Sequence, residues 1–405
     1  MFASRTNWPL YQNKIALCLQ ALQQSGVSII DLTESNPTRC QFQYLHQRTL
    51  SPLSRTENLL YQPSPKGSLK ARESIAAYYA EAHQININPE QIVLTASTSE
   101  AYSFIFRLLA NPGDEVLAPS PSYPLFHFLA DLNDVRLVPY YLDETTQWSL
   151  DQNSLAAGFG PRTKAIIAVN PNNPTGSILT PDEKNGLNQT AKTQAAIISD
   201  EVFIDYANQA ASRRPASFAN NASTLTFTLG GISKAVGLPQ MKTAWMVVNG
   251  PKRIVQQTIP RLEVILDTYL SVNTPAQSAL VIWLKNRLVI QEEIKNRIQA
   301  NWAFLQAAIN QTKICTLWER QSGWYAIVQV PKIQSDEQWV LDLLEEARVL
   351  VHPGYFFDFR QEGFLVMSLL LPADIFQKAI EAFCHLILRK SHESASADFE
   401  LLSRK

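Results

Sequence analysis

The stretch IVLTASTSEAYSFIFRLLANPGDEVLAP, running from Ile92 to Pro119, decides the fold. IVLTA is a short apolar run without polar alternation, as in a strand buried on both faces. TSEAYSFIFRLLA carries apolar residues at helical spacing, and after the Asn-Pro-Gly-Asp turn EVLAP reads as a second buried strand. Strand, helix and strand in that order form the unit of a mainly parallel sheet covered by helices. The pattern continues through RLVPY (Arg136–Tyr140), AIIAVN (Ala165–Asn170) and AAIISDEV (Ala195–Val202) as far as Trp245. In such sheets binding sites collect beyond the carboxyl ends of the strands, so the residues that follow these runs are the ones to examine.

Upstream, apolar residues recur at helical spacing from Asn13 to Gln24, and Gly26 stands where a helix stops. SIIDL is a short strand, 34–60 is loop-rich with Pro37 and Pro52, and LKARESIAAYYAEAH is an amphipathic helix. Downstream, Lys252–Asp267 and Pro275–Gln311 are expected to be long helices. From Ile314 a new series of strand and helix signals (GWYAIVQVP, SDEQWVLDLLEEARV, FLVMSLLLP, ADIFQKAIEAFCHLIL) predicts a smaller α+β domain. The expected organisation is an N-terminal segment 1–40 that joins the small domain, a large α/β domain 41–275, a small α+β domain with its linking helix 276–392, and a polar tail 393–405; the polar run SHESASADFELLSRK, from Ser391, is expected to fray.

At 405 residues the chain exceeds what one core serves, in keeping with roughly two or three domains or subdomains. Lysine and arginine number 35 against 36 acidic residues, and the net charge of -1 gives no pull toward nucleic acid or an anionic membrane. The four cysteines, Cys18, Cys40, Cys315 and Cys384, have neither disulfide-framework nor zinc spacing; free thiols and no metal are expected. The first twenty residues lack the apolar core of a signal peptide, and no run reaches the roughly 20 apolar residues of a membrane span, so a cytoplasmic location is expected.

The ends of the predicted strands carry the chemistry. After VLTAS, Thr98 and Ser99 open a helix whose first N–H groups are unpaired; such a terminus caps itself or binds an anion. After AIIAV comes NPNNPTG (Asn170–Gly176), a proline-stiffened loop in which Asn173 can present its amide. After AAIIS, Asp200 is either a helix cap or an acid placed to hold a cationic ring nitrogen. In GGISKAVGLPQMKTAW (Gly230–Trp245) two lysines, Lys234 and Lys242, lie in a loop-like run between apolar segments. A phosphate site, an acid for a pyridinium, an amide for a phenolic oxygen and a lysine for an aldehyde are together what pyridoxal phosphate requires.

Five motifs in order (LTASTSEAY, NPGDEVLAPSPSYP, NPNNPTG, SDEVFIDY and SKAVGLPQMK) resemble the class I and II aminotransferases, pyridoxal-phosphate enzymes of the type I fold, across about Asp31 to Phe383. The resemblance implies a seven-stranded type of mainly parallel sheet in the large domain and an internal aldimine on Lys234, which also moves the proton during transfer. It further implies that Asp200 pairs with the pyridine nitrogen, Asn173 bonds the ring hydroxyl and Tyr123 stacks on the ring. Ser97, Thr98, Ser99, Ser233 and Lys242 surround the phosphate, and Tyr61 reaches the phosphate of the partner subunit in a homodimer with shared active sites. An amine or amino acid and an oxo acid are the implied substrates. A lyase, decarboxylase or racemase on the same scaffold, and a pyridoxal-phosphate-binding regulator without turnover, are the alternatives.

Four positions depart from the family pattern. Lys242 replaces an arginine at the phosphate, and Gly231 lacks the hydroxyl of a serine or threonine. Phe203 stands where a tyrosine donates to the ring hydroxyl. Val366, two residues before Ser368 and beyond the Pro353-Gly354 turn, stands where an arginine grips the substrate α-carboxylate. Arg39 and Arg360 are the candidates to replace it, each equally readable as a surface charge; a substrate without a free α-carboxylate is the other explanation. His352 and Tyr355 flank the turn, where each can line the pocket, core packing being the preferred reading for Tyr355.

Overall fold

The computed structural model describes residues 1–208 and 214–403. The chain forms two compact units. One holds Met1–Asn7, Phe42–Glu293 and Gln321–Gly323; the other holds Trp8–Gln41, Ile294–Arg320 and the chain from Trp324 onward.

The larger unit is built on eight strands: β1 (Ile92–Thr95), β2 (Glu115–Ser120), β3 (Arg136–Asp143), β4 (Ser149–Leu150), β5 (Thr163–Val169), β6 (Ala196–Asp200), β7 (Thr226–Gly231) and β8 (Ala244–Asn249). Their order across the sheet is β1-β8-β7-β6-β5-β2-β3-β4. The run β7, β6, β5, β2, β3 is parallel, while β8 runs against both β7 and β1, and the two-residue β4 closes the far edge antiparallel to β3. The runs read as buried strands are buried: every residue of β1, β2, β6 and β7 is, as expected when helices cover both faces.

The helices that matter below are α1 (Leu69–His83), α2 (Thr98–Leu109), α3 (Pro181–Ala191), α4 (Ile232–Ala235), α5 (Lys252–Tyr269), α6 (Thr274–Lys285), α7 (Arg287–Thr312) and α8 (Ala373–Ser403). Their starts follow capping chemistry. Ser97 accepts the Glu100 N–H at the head of α2, and Thr180 and Glu183 form a reciprocal capping box at α3, where Pro181 occupies the first turn. One face of the sheet packs on α2 and α5 through Phe104, Phe106, Ile198, Phe227, Met246 and Leu262; the other packs on α1 and α6 through Ile75, Tyr79, Trp245, Leu280 and Trp283.

Two helix expectations are corrected. The predicted helix 275–311 breaks between α6 and α7 because side chains capture the last carbonyls of α6: Asn286 Nδ2 donates to Ile282 O at 2.8 Å and Arg287 Nη1 to Leu284 O at 2.9 Å. The polar run after Ser391 does not fray but continues α8 to Ser403. Its alanine, glutamate and leucine favour helix, and Arg389 pairs with Glu393 four residues on.

The second unit carries a four-stranded antiparallel sheet in the order β9 (Thr316–Leu317), β10 (Tyr325–Gln329), β12 (Phe364–Ser368) and β11 (His352–Pro353). The strand predicted in SIIDL shrinks to Ile30–Asp31, paired parallel with Val349–Leu350 in the same unit.

Candidate active site

Strands β1, β2, β5, β6 and β7 point the same way, so Thr95, Ser120, Val169, Asp200 and Gly231 end at one edge of the sheet, where antiparallel β8 begins at Ala244. The register is close: Val169 lies opposite Asp200, while Thr95 and Gly231 both lie opposite Ala244. The candidate residues follow these ends and are thereby gathered along one edge.

Asp200 closes β6 and is 7% exposed. Burial raises its pKa to about 6, opposed by a hydrogen bond from the Val202 N–H, one from the Tyr102 hydroxyl and the charge of Lys234. Tyr102 Oη donates to Oδ2 at 3.1 Å and the Val202 amide to Oδ1 at 3.3 Å. Lys234 lies on the single turn α4 that leaves β7, with Nζ 5.4 Å from the centre of the Phe203 ring. Burial pulls its pKa down to about 8, against the pull of Asp200 in the other direction. Phe203 is buried, so a cation–aromatic contact lies three residues after Asp200, where the family resemblance implies a tyrosine.

Of the three asparagines in NPNNP, two are committed to partners in their own loop and in neighbouring segments. Asn170 donates to Ala216 O and accepts from Leu179; Asn172 donates to Pro121 O and accepts from Thr175. Asn173 is the third, and its buried amide oxygen has no partner. At the head of α2, Ser97 spends its oxygen on the Glu100 N–H at 3.1 Å. The hydroxyls of Thr98 and Ser99 make no hydrogen bond among the described residues, and both side chains are half-buried. Tyr123 packs against the core beneath, edge-on to Phe126 at 5.8 Å between ring centres, and Phe126 in turn meets Tyr102 edge-on at 5.3 Å.

Asp200, Tyr102, Phe203 and Lys234 are thus in direct or electrostatic contact, and Tyr123 joins them through the Phe126 ring. Thr98, Ser99, Asn173, Ser233 and Lys242 lie along the same edge; Ser233 is half-buried and Lys242 exposed, with a left-handed backbone at φ 46°. At Gly231 a Cβ would lie 3.2 Å from the Ala244 Cβ, so the serine or threonine that the family resemblance implies has little room. Tyr61 is 73% exposed and makes no hydrogen bond among the described residues of this chain.

In the second unit, Val366 is fully buried at the middle of β12, with Ile327 and His352 as its cross-strand neighbours. Arg39 is exposed and its guanidinium lies 3.4 Å from Glu34; Arg360 is exposed. Burial pushes the His352 imidazole down to about 4, and its ring meets Phe357 edge-on. Tyr355 is 40% exposed rather than packed in the core.

Tyr102 is the functional contact that pattern reading missed. It sits on the apolar face of α2, where a buried phenol needs an acceptor, and that need was the available signal.

The residues suit pyridoxal phosphate. An unpartnered buried amide oxygen at Asn173 marks a polar group awaiting a ligand, and free hydroxyls at the head of a twelve-residue helix suit a phosphate. A buried acid and a half-buried amine at neighbouring strand ends provide the remaining two contacts the cofactor needs.

The family model for aminotransferase class I and II matches residues 27–383. Glutamate-pyruvate aminotransferase AlaA of Haemophilus influenzae is 28% identical over 358 residues, 86% of this chain and 88% of its own. Alanine aminotransferase of Mycobacterium tuberculosis is 29% identical over 299 residues, 71% and 69% of the two chains. Among solved structures, alanine aminotransferase from Pyrococcus furiosus matches the fold with a TM-score of 0.87 at 23% identity, covering 96% of this chain and 99% of its own. Aspartate aminotransferase from Thermus thermophilus with maleate matches with a TM-score of 0.82 at 20% identity, covering 95% and 99%. Because the family model spans most of the chain and the same architecture recurs in these structures, the chain belongs to the class I and II aminotransferases, pyridoxal-phosphate enzymes of the type I fold.

Proposed function

We propose that Lys234 is the residue to which pyridoxal phosphate becomes attached, and that the enzyme moves an amino group from an amine or amino acid to an oxo acceptor with atypical recognition of the substrate carboxylate. The carrying observation is the pairing of a lysine held down to about 8 with a carboxyl held up to about 6 at neighbouring strand ends. When bound, the cofactor supplies an aldehyde for the amine and a ring that accepts the electrons released at the substrate carbon.

The roles of the side chains follow. Near pH 8 about half of Lys234 is neutral, which suits a nucleophile and, once displaced by the donor amine, a proton carrier. Asp200, anchored by Tyr102 and Val202, would hold a proton on the ring nitrogen; that cation would in turn favour the ionised carboxylate. Asn173 would bond the ring hydroxyl, and Tyr123 would lie against the ring. Thr98, Ser99, Ser233 and Lys242, with the backbone around Ser97, would hold the phosphate, with Lys242 acting as a point charge where a forked arginine grips more rigidly.

Relatives named for alanine and for glutamate and pyruvate support α-amino acids as substrates. Val366 argues for a departure, since a valine offers a carboxylate no hydrogen bond. Arg39 and Arg360 remain the candidates to supply it. A homodimer in the cytoplasm completes the reading. It is supported by the exposed Leu59, Leu60 and Tyr61 on the larger unit, and no helix among the described residues is long and apolar enough to cross a membrane.

Borohydride reduction of the holoenzyme followed by peptide mapping is expected to fix the cofactor on Lys234; a label on another lysine rejects the assignment. A spectroscopic screen of glutamate, alanine, ω-amino acids, amino acid esters and simple amines tests the carboxylate reading, which efficient amino transfer from ordinary α-amino acids would refute.

A further inference from the structure

The turn α4 that carries Lys234 is only four residues long, so its carbonyls find few partners within the helix. Side chains from two separate segments supply partners for two of them, and a third side chain holds the carbonyl just beyond the turn. Tyr206 Oη donates to Lys234 O at 2.7 Å, Gln291 Nε2 to Ala235 O at 2.8 Å, and Tyr44 Oη to Gly237 O at 2.7 Å. Gln291, on α7, is itself oriented: its amide also donates to Asp205 Oδ2 at 2.9 Å, which accepts from Tyr78 Oη at 3.0 Å. His83 Nε2 lies 3.0 Å from that same Tyr78 oxygen. Tyr206 is buried, and Asp205 and Tyr206 belong to one 3₁₀ turn, Ile204–Tyr206, that follows Asp200 directly along the chain.

We infer that Tyr206 and Gln291 are positioning residues for Lys234, holding its backbone at a set distance from Asp200. The argument is mechanical. The segment from Asp200 to Tyr206 bears the carboxylate at one end and the clamp on the lysine carbonyl at the other, so the acid and the amine are referred to one short stretch of chain. Gln291 fixes the next carbonyl from α7, with Asp205 of that same stretch as its second acceptor. A lysine that must leave its bond, swing and return a proton needs a mobile side chain on a backbone that does not move. Two side-chain donors on consecutive carbonyls provide the fixed part. Without the two donors Ala235 O loses its side-chain partner and Lys234 O is left to backbone N–H groups such as that of Gly237 at 3.3 Å, a weaker hold on a segment where a misplacement of about an ångström costs much of the rate.

This inference rests on Lys234 being the attachment residue, and the test separates the two. Wild type, Tyr206→Phe, Gln291→Met and the double variant are prepared as holoenzymes. Each is reduced with borohydride and peptide-mapped, its visible cofactor band is titrated with pH, and kcat and KM are measured with one active amino donor. In each single variant kcat is expected to fall about tenfold with KM changed less than about twofold, and the midpoint of the band to move by roughly half a unit or more. Should Tyr206→Phe fail to fold, Gln291→Met, on a different element, decides the matter with the same readouts. A label on Lys234 combined with unchanged titration and kcat, whatever happens to Tm, overturns the positioning role alone. A label on another lysine overturns the attachment assignment, and this inference with it.

Discussion

Burial at Asp200 and Lys234 sets protonation in opposite senses, and each sense has a measurable consequence. Asp200 has a folded pKa of about 6 against an ordinary 3.8, so between those values the folded apoprotein keeps a proton that the unfolded chain has released. Stability therefore falls as pH rises from about 4 to 6, and above that range the full cost, about 3 kcal/mol for a shift of roughly two units, is present. Asp200→Asn should make the apoprotein more stable at pH 8 by about 1–3 kcal/mol in denaturant titrations, the advantage vanishing toward pH 4, while kcat of the holoenzyme drops on the order of a hundredfold or more. A variant no more stable than wild type at pH 8 would show that the carboxylate is not under strain. Lys234 shifts the other way, to about 8 from 10.5. Its neutral form is the nucleophile, so the rate at which apoprotein captures pyridoxal phosphate should climb with pH and level off above about 8; a climb continuing toward 10 would contradict the depressed pKa. The places of these two residues after apolar runs are what single them out in the sequence. Tyr102, Tyr206 and Gln291 are not singled out there, because their partners lie on other elements and a lone tyrosine or glutamine on a helix leaves no periodic trace.

The head of α2 joins two uses that sequence reading left undivided, capping and anion binding, and the structure divides them by residue. Ser97 spends its oxygen on the Glu100 amide, while the hydroxyls of Thr98 and Ser99 are free among the described residues. Ser97→Ala should therefore cost the apoprotein about 1 kcal/mol and lower its Tm. Thr98→Ala and Ser99→Ala should leave that Tm within a degree or two and each weaken cofactor binding about tenfold, the loss of a hydrogen bond to a charged group. Equilibrium dialysis against pyridoxal phosphate with parallel calorimetry distinguishes the cases; a Tm loss without weaker binding at Thr98 and Ser99 would make them caps only. Element existence was legible because buried strands read as unbroken apolar runs and helices as a 3.6-residue period. The break at Asn286 was not, since α6 and α7 are apolar on both sides of it and only side-chain capture of the last α6 carbonyls ends the first helix. The run of α8 to Ser403 was misread because polarity was weighed above helix propensity.

At the scale of the molecule, Tyr61 poses a question one chain does not answer. It lies beside Leu59 and Leu60, all more than half exposed, next to turns that pack on α6. A run of exposed apolar residues with an idle phenol is poorly explained in a monomer and well explained if a second copy covers it. In the proposed dimer each site takes Lys234 from one subunit and Tyr61 from the other. Chains bearing Lys234→Ala lack the amine, and chains bearing Tyr61→Ala lack the phosphate contact, so at limiting cofactor each preparation alone should be poorly active. Unfolded together at equal amounts and refolded, half of the dimers are mixed. Each mixed dimer holds one site with both groups intact, so activity should recover to about a quarter of the wild-type value. Recovery requires exchange of residues between subunits; if Tyr61 served its own chain, mixing would leave activity at the average of the two preparations. Sedimentation of the wild-type protein as a monomer at micromolar concentration would dismiss the shared site outright, whereas a dimer that Leu60→Asp dissociates with loss of bound cofactor would place the apolar run at the interface.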